Sequence, residues 1–195
     1  MTLRASRQEQ KERTRLSLVE IATELFASRG ISSTATSEIA KALKVSHGTV
    51  FLHFPSRDDL VLAVIDDFGS RLSQELKKAV LSESTLKGVL SAHLRALADF
   101  EDIYFRILTE MNALPKSIQG TVFMLNAAVS WKLYEAAAPL MKAGKIKRID
   151  QALLFNTWMA LVSYYIIHRD RFSNTLPILR ENGAAPPVAM RSTKA

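Results

Sequence analysis

The feature that most restricts the fold of this 195-residue chain is the spacing of its apolar residues, which recur every three or four positions over most of its length. Glycine and proline are scarce, at 7 and 6 residues, and no run of alternating polar and apolar residues lies between turn pairs. A helix brings positions three and four apart onto one face, whereas a strand alternates every two. The pattern therefore predicts a protein that is nearly all helix.

Helix-end signals divide the chain into successive helices. A first helix ends at Arg29 and Gly30, a cation followed by a residue that turns left-handed without strain. Ser56 and Asp59 form the capping box of a fourth helix, and Asp150 caps a late helix that is apolar on all sides. Apolar periodicity predicts later helices at 86–100, 102–114, 118–143, 150–171 and 174–182.

Composition and charge narrow the classes of function. The net charge of +7 favours a polyanionic partner, and the absence of cysteine excludes disulfides and cysteine-ligated metals. The apolar stretch 152–167 is too short, and too interrupted by polar residues, for a bilayer span. The N-terminal sequence MTLRASRQEQKERTR is basic and has no apolar signal core. We expect a cytoplasmic protein that makes no membrane contact.

Residues 36–54 have the pattern of two short helices joined by a tight turn. Ser46 caps the second of these helices, so its first turn points free amides and the side chains of His47 and Thr49 outward. A recognition helix presents its N-terminal residues to the major groove of DNA in this way. Gly48 has no side chain, which lets the backbone approach a phosphate closely. The residues expected to be buried in this unit are Ile39, Ala40, Leu43, Val45 and Val50.

The segment ELFASRGISSTATSEIAKALKVSHGTVFLHFPSRDDL contains a specific set of motif residues. They are Phe26, Gly30, Ile39, Ala40, Val45, Ser46, Gly48, Thr49, Phe54, Ser56, Arg57 and Leu60. On these positions, residues 11–70 resemble the DNA-binding domain of the TetR family of bacterial transcriptional regulators. The resemblance implies an all-α fold: an N-terminal three-helix DNA-binding domain with its helix-turn-helix at about 34–53, then a larger C-terminal helical effector-binding and dimerisation domain over 71–183. Residues 184–195 are expected to form a flexible tail.

The resemblance and the outward first turn together give a set of candidate DNA-binding residues. These are Thr34, Thr36, Lys44, Ser46, His47, Gly48, Thr49, Phe51, His53 and Arg57. We expect His47 and Thr49 to read bases and Arg57 to contact a phosphate. His53 fits a phosphate donor and a packed core histidine equally well.

Four positions depart from the pattern of the family. His47 stands where the family often has lysine, and it is mostly neutral at pH 7. Lys44 stands where the family usually has glycine, so either Lys44 is left-handed or the turn differs. Phe51 replaces a tyrosine whose hydroxyl can reach a phosphate. Ala35 stands at the usual cap of the second helix, so Thr34 or Thr36 is expected to cap it instead.

The C-terminal two thirds is rich in aromatic residues that, taken together, could enclose a small ligand. The candidate ligand-binding residues are His93, Phe100, Tyr104, Phe123, Asn126, Trp131, Asn156 and Trp158. No lysine or arginine has an obvious place on these apolar faces, although Arg95 and Arg106 are close in sequence, so a neutral or weakly polar aromatic or aliphatic compound fits best. Taken one at a time, each aromatic residue is more often part of a core than of a pocket.

The expected function is a DNA-binding transcriptional regulator, a repressor released from its double-stranded DNA operator by a small hydrophobic or amphipathic ligand. The apolar helix 150–171 is expected to form a homodimer interface, with Ile166 facing outward. No catalytic set, metal-binding motif or phosphate-binding loop occurs in the sequence, so we expect no enzyme, no cofactor and no metal. The alternative is a helical protein-interaction module, or a regulator controlled by a protein partner.

Overall fold

The structure, a computed structural model, describes residues 2–82, 85–172 and 178–181. Within these ranges the chain is helical and no residue lies in a β-strand, which confirms the all-α prediction. The α-helices are α1 (Thr2–Arg29), α2 (Thr36–Leu43), α3 (His47–His53), α4 (Arg57–Ser82), α5 (Leu86–Ala98), α6 (Glu101–Glu110), α7 (Lys116–Lys142), α8 (Gln151–Ile167) and α9 (Ile178–Glu181). Short 3-10 turns follow α6 at Met111–Ala113 and α8 at Arg169–Arg171.

The predicted helix ends are set by local caps that the structure contains. The backbone N–H of Ser56 donates to the Asp59 carboxylate at 2.8 Å, and the N–H of Asp59 donates back to the Ser56 hydroxyl at 3.1 Å. The Asp150 carboxylate accepts from the N–H of Leu153 at 2.7 Å. Gly30 ends α1 with a φ of +104°, where a side chain would be strained. These contacts confirm the capping box, the later cap and the glycine end of α1.

The N-terminal helices enclose a small apolar core. α1 packs on α2 and on α4, and α2 packs on α3. Leu18 and Phe26 of α1, Ile39 of α2, Val50 of α3 and Leu60 of α4 are all completely or almost completely buried in this core. The side of α3 opposite Val50 is therefore left at the surface, where Phe51 and Leu52 are exposed.

α4 continues from this core into the C-terminal helices, where it packs on α5 and α7. The contact with α7 depends on Gly69, because a Cβ at that position would overlap the side chain of Leu125. The predicted domain division after residue 70 falls inside this continuous helix, so it stays a prediction. α7 packs in turn on α8, and α5 packs on α9.

Polar contacts join α6 to the N-terminal helices. The Arg106 guanidinium donates to two carbonyl oxygens in the last turn of α1, including that of Ala27 at 3.0 Å. The Glu110 carboxylate accepts from the backbone N–H groups of Ile31 and Ser32, at 3.1 and 2.7 Å. Because these amides follow the end of α1, Glu110 ties the loop between α1 and α2 to α6.

A buried carboxylate holds the short α9. Glu101 is almost fully buried and accepts from the backbone N–H groups of Ile178 and Leu179, at 3.1 and 3.0 Å. Arg169 lies 3.8 Å from the same carboxylate and 2.6 Å from Asp102. Of the predicted helix 174–182, only 178–181 lies within the described residues, and the predicted tail 184–195 lies outside them.

No helix in the described part of the chain is long and apolar enough to cross a lipid bilayer.

Candidate nucleic-acid interface

The turn between α2 and α3 is built around Lys44. This residue has φ 57° and ψ 39°, a left-handed conformation that glycine adopts more easily than lysine. The turn is closed by two bonds, from the N–H of Lys44 to the carbonyl of Lys41 at 3.1 Å and from the N–H of Val45 to the carbonyl of Ala40 at 3.0 Å. The first of the two alternatives for Lys44 is confirmed.

Ser46 caps α3, as the sequence predicts. Its hydroxyl accepts from the N–H of Thr49 at 3.1 Å and also bonds the hydroxyl of Thr49 at 2.8 Å. Thr49 is half-buried, and its hydroxyl is already used by the cap. Thr49 therefore supports the start of α3, and the structure does not present it as one of the outermost side chains.

The outer face of α3 is formed by four residues spaced as neighbours on a helix: His47, Gly48, Phe51 and Leu52. Phe51 is 43% exposed and Leu52 is 72% exposed, whereas Val50 on the opposite side is buried. The His47 ring meets the Phe51 ring edge-on, with centroids 4.9 Å apart. Leu52 was not among the predicted DNA-binding residues, although its position four residues after Gly48 places it on the same face.

Thr36 connects α2 to the outer face of α3. Its hydroxyl lies 2.9 Å from Nε2 of His47, so the first turns of the two helices are joined by a side-chain hydrogen bond. Both residues are accessible at the surface. The predicted DNA-binding residues Thr36, Ser46, His47, Gly48 and Phe51 are thus brought together at one end of the helix-turn-helix.

The prediction that Thr34 or Thr36 caps α2 is wrong. The cap position is Ala35, which has no side-chain acceptor, and the first turn is held instead by the Glu38 carboxylate, which accepts from the N–H of Ala35 at 2.9 Å. That hydrogen bond, followed by the charge of Arg29, lowers the pKa of Glu38. Thr34 is buried, and its hydroxyl donates to the carbonyl of Gly30 at 2.8 Å, so it lies beneath the surface rather than at it.

Arg57 was predicted to contact a phosphate, but the structure holds its side chain against the protein. The guanidinium donates to the carbonyl oxygens of Ile31 and Thr34 in the loop before α2 and lies over the ring of Phe26, 6.0 Å from its centroid. The first turn of α4 faces that loop, which is why these carbonyls are within reach. Arg57 therefore orders the loop that positions α2.

His53 lies at the inner end of α3. Its Nδ1 is buried and has no hydrogen-bond partner in the described part of the chain. Burial lowers the pKa of His53, and the charges of Lys11 and Arg15 on α1 lower it further. Arg15 also lies over the ring of Phe54, 5.1 Å from its centroid. Of the two interpretations left open by the sequence, these surroundings favour a histidine packed against α1.

The eight residues predicted to bind a ligand do not line one pocket. His93 and Tyr104 are buried in the core, where burial lowers the pKa of His93 to about 4 and raises that of Tyr104 to about 12. Phe123 and Trp131 point outward from α7 and are 70% and 55% exposed. The others are half-buried (Phe100, Asn126 and Trp158) or exposed (Asn156). Because α7 and α8 are apolar around most of their circumference, the sequence did not reveal which side faces inward.

An apolar groove with a volume of about 310 Å³ lies between α4 and α7 instead. Its floor contains buried side chains from both helices, among them Leu72, Leu76 and Val129. Lys77 and Lys132 also line it, so an apolar chain could lie on the floor with a negatively charged group near these two lysines. None of the eight predicted ligand-binding residues lines this groove.

Two short helices joined by a left-handed turn, with a capped second helix whose outer face is exposed, define a helix-turn-helix DNA-binding domain. Residues 18–64 match the family model described as "Bacterial regulatory proteins, tetR family". Over these residues the chain is similar to the DNA-binding domain of TetR family regulators.

Curated relatives match about half of the chain. The HTH-type transcriptional repressor Rv3405c of Mycobacterium tuberculosis is 38% identical over 88 residues, which are 45% of this chain and 46% of that protein. The fatty acid metabolism regulator protein of Bacillus subtilis is 25% identical over 114 residues, 56% of this chain and 58% of that protein. The chain thus spans about half the length of the curated relatives it matches.

Solved structures share the fold over most of the chain. PfmR of Thermus thermophilus, a TetR family transcriptional regulator, superposes with a TM-score of 0.70 at 19% identity and covers 85% of this chain and 92% of its own. FadR of Bacillus subtilis, in complex with stearoyl-CoA, has a TM-score of 0.66 at 18% identity and covers 85% of this chain and 94% of its own. At these identities the likeness shows the fold.

Proposed function

We propose that the chain is a DNA-binding transcriptional regulator that binds a double-stranded operator as a homodimer. The observation on which this depends is the outer face of α3, which is exposed at the end of a capped helix-turn-helix and joined to α2 through Thr36 and His47. A helix held in this way fits the major groove, and the net charge of +7 favours approach to DNA. Residues 11–70 would form the DNA-binding domain.

The homodimer is supported by the outer faces of α7 and α8. Leu153, Leu161, Tyr164 and Ile167 of α8 are exposed, as are Phe123, Met124 and Trp131 of α7. Exposed apolar residues in such number indicate a surface that is covered by a partner. A second copy of the chain is the favoured partner because a two-fold dimer places two recognition helices on one DNA site.

The same apolar surface also supports the second candidate, a regulator controlled by a protein partner. The two candidates differ in stoichiometry. A homodimer forms from the purified chain alone and its mass doubles, whereas a chain that needs another protein stays monomeric in sedimentation. Residues 71–183 would be the effector-binding and dimerisation domain in the first case and a protein-binding domain in the second.

The proposed regulator is a repressor released by a small hydrophobic or amphipathic ligand that lies in the groove between α4 and α7. Support comes from α4, since Leu72 and Leu76 line the groove and Leu60 of the same helix lies in the N-terminal core. A ligand that fits only one tilt of α4 would favour one arrangement of the DNA-binding domain. FadR was solved with stearoyl-CoA, an amphipathic acyl compound, which makes long-chain acyl compounds the first to test.

The test of DNA binding is selection of sequences from a random double-stranded DNA library, followed by fluorescence anisotropy of the selected, labelled duplexes at several salt concentrations. We expect a two-fold symmetric sequence whose affinity falls as salt rises. Gly48→Glu should abolish binding, because a Cβ at residue 48 meets nothing closer than the Ser46 hydroxyl at 3.7 Å, so the variant folds while its charge faces DNA. The matched control is Ser70→Glu on the exposed side of α4. Failure of any sequence to be enriched would contradict the proposal.

The test of the ligand is titration of the bound operator with fatty acids and acyl-CoA compounds of increasing chain length. Release of DNA is expected for compounds that fill the groove. Ala128→Trp, which places a large ring in the groove, should remove the response while DNA affinity is kept. If compounds bind but DNA affinity does not change, the groove is a binding site without a regulatory role.

A further inference from the structure

We propose that α3 recognises its operator through the C5-methyl groups of thymine, with Leu52 and Phe51 as the residues that determine specificity. This inference rests on the proposed DNA-binding function and goes beyond it by naming the base that is read. It depends on which side chains form the outer face of α3 and on which base edge such side chains can distinguish.

The outer face of α3 lacks the side chains that read most bases. α3 has the sequence HGTVFLH, with no arginine, lysine, asparagine or glutamine. Arginine and lysine recognise guanine, and asparagine and glutamine recognise adenine, by paired hydrogen bonds in the major groove. A helix without any of the four cannot make these contacts from its own residues.

What the face offers instead is apolar surface. Leu52 is 72% exposed and Phe51 is 43% exposed, and the two are adjacent on the helix. In the major groove, thymine alone among the bases presents a methyl group, and apolar side chains recognise it by contact. The chemistry of this face therefore matches thymine better than any other base.

Gly48 makes close approach to the groove floor possible. It lies one helical turn before Leu52 on the same face, and the space outside it is open apart from the Ser46 hydroxyl. Without a side chain at residue 48, the backbone of the first turn can enter deeply, and Leu52 can then reach the edges of the bases. A larger residue at this position would hold Leu52 away from them.

The ring of Phe51 is held in place by its neighbours. His47 contacts it edge-on at 4.9 Å, and His47 is itself bonded through Nε2 to the hydroxyl of Thr36 at 2.9 Å. The contacts from Thr36 to His47 and from His47 to Phe51 together orient the Phe51 ring toward the exterior of the protein. In the free protein the apolar side chains of Phe51 and Leu52 are in contact with water, which favours any partner that covers them.

The test replaces thymidine by deoxyuridine, which differs from it only in lacking the C5-methyl group. Operator duplexes obtained by selection are synthesised with deoxyuridine at one thymine at a time, and the dissociation constants are compared by anisotropy. Removal of a contacted methyl should weaken binding about fourfold, from the hydrophobic free energy of one buried carbon. We expect this loss at one or two thymines in each half-site and no loss at the others.

Variants show which side chain makes the contact. Leu52→Ala should weaken binding to the thymine duplex and bring the thymine-to-deoxyuridine ratio close to one at the position it contacts, and Phe51→Ala should do the same at its own position. Both residues are exposed, so these changes leave the core intact. The control is Leu16→Ala, which removes an exposed leucine of α1 and should keep the fourfold ratio.

Three results would overturn the inference. Equal affinity for thymine and deoxyuridine duplexes would show that the methyl groups are not read, while the DNA-binding function itself would stand. A methyl effect that persists in both Leu52→Ala and Phe51→Ala would assign the contact to another residue. If no DNA sequence is bound, the proposed function fails and this inference fails with it.

Discussion

The indole Nε1–H of Trp158 donates a hydrogen bond to Nδ1 of His93 across 3.1 Å, and the imidazole ring that accepts it is almost fully buried. The accepting nitrogen has no proton, so the neutral ring carries its proton on Nε2. Protonation of His93 would place a charge in the core and remove the acceptor of Trp158. Burial is the cause that lowers the pKa of His93 to about 4.

We predict that the protein loses stability as the pH falls from about 6.5 to about 4. In this range the unfolded chain, in which histidine has its ordinary pKa near 6.5, binds a proton that His93 in the folded protein does not. The stability that comes from keeping His93 neutral is fully present above pH 6.5. Roughly 3 kcal/mol of it is lost as the pH falls from 6.5 to 4. Urea denaturation at pH 7 and pH 4.5 measures it. His93→Gln should show a correspondingly smaller difference between the two pH values, and an equal difference would contradict the prediction.

The left-handed Lys44 predicts a stabilising substitution. Lys44→Gly should raise the free energy of unfolding by about 1 kcal/mol, because glycine adopts φ 57° without the steric cost of a side chain. The matched control is Lys41→Gly, one turn earlier inside α2, which should lower it by about 1 kcal/mol. Thermal denaturation of both variants shows whether each change raises or lowers the free energy of unfolding. If Lys44→Gly lowers it, the left-handed conformation of Lys44 is not strained.

The contact of Glu110 with Ile31 and Ser32 predicts a role for α6 in holding the DNA-binding domain. Glu110→Gln keeps the size of the side chain but removes the charge that two backbone N–H groups share. We expect the free energy of unfolding to fall by about 1–2 kcal/mol. Glu135→Gln, on the exposed surface of α7, should cause no measurable change. Equal results for the two variants would show that Glu110 makes no net contribution.

We predict that one charged substitution on the outer face of α8 separates the proposed dimer into monomers. Leu161→Asp should give monomers that keep their helical content, because the charge would be buried without a partner in the dimer but exposed to water in the monomer. Ile166, which the sequence placed on the outer face, is completely buried, so Ile166→Asp should unfold the protein instead. Analytical sedimentation and circular dichroism distinguish the two outcomes. If the Leu161→Asp variant remained dimeric, the dimer interface would not include this part of α8.

The elements that could be predicted from the sequence are those determined by local interactions. The caps at Ser46, Ser56 and Asp150 and the glycine that ends α1 each act within one helical turn, so a short segment contains all the required information. The same holds for Lys44, whose left-handed turn was one of two predicted alternatives.

The elements that could not be predicted depend on residues that are distant in the chain. Arg57 was placed at a phosphate on the family resemblance. Its hydrogen bond to the carbonyl of Ile31 could not be predicted, because the two residues are 26 positions apart in the chain. The faces of α7 and α8 were not distinguished because a helix that is apolar on most sides has no periodic signal. Phe123 and Ile166 were therefore placed on the wrong sides, and the groove at Leu72 and Val129 was missed.

The burial of Glu101 determines how far the chain can be shortened. A version that stops at residue 177 would remove the two N–H groups of Ile178 and Leu179 and leave the buried Glu101 carboxylate with Arg169 at 3.8 Å. A buried carboxylate that has lost its hydrogen-bond donors opens the surrounding packing or admits water. Ile178 and Leu179 of α9 therefore close this part of the buried core. A protein trimmed before residue 178 should be degraded by proteases at sites in α5 and α6 that the intact protein protects.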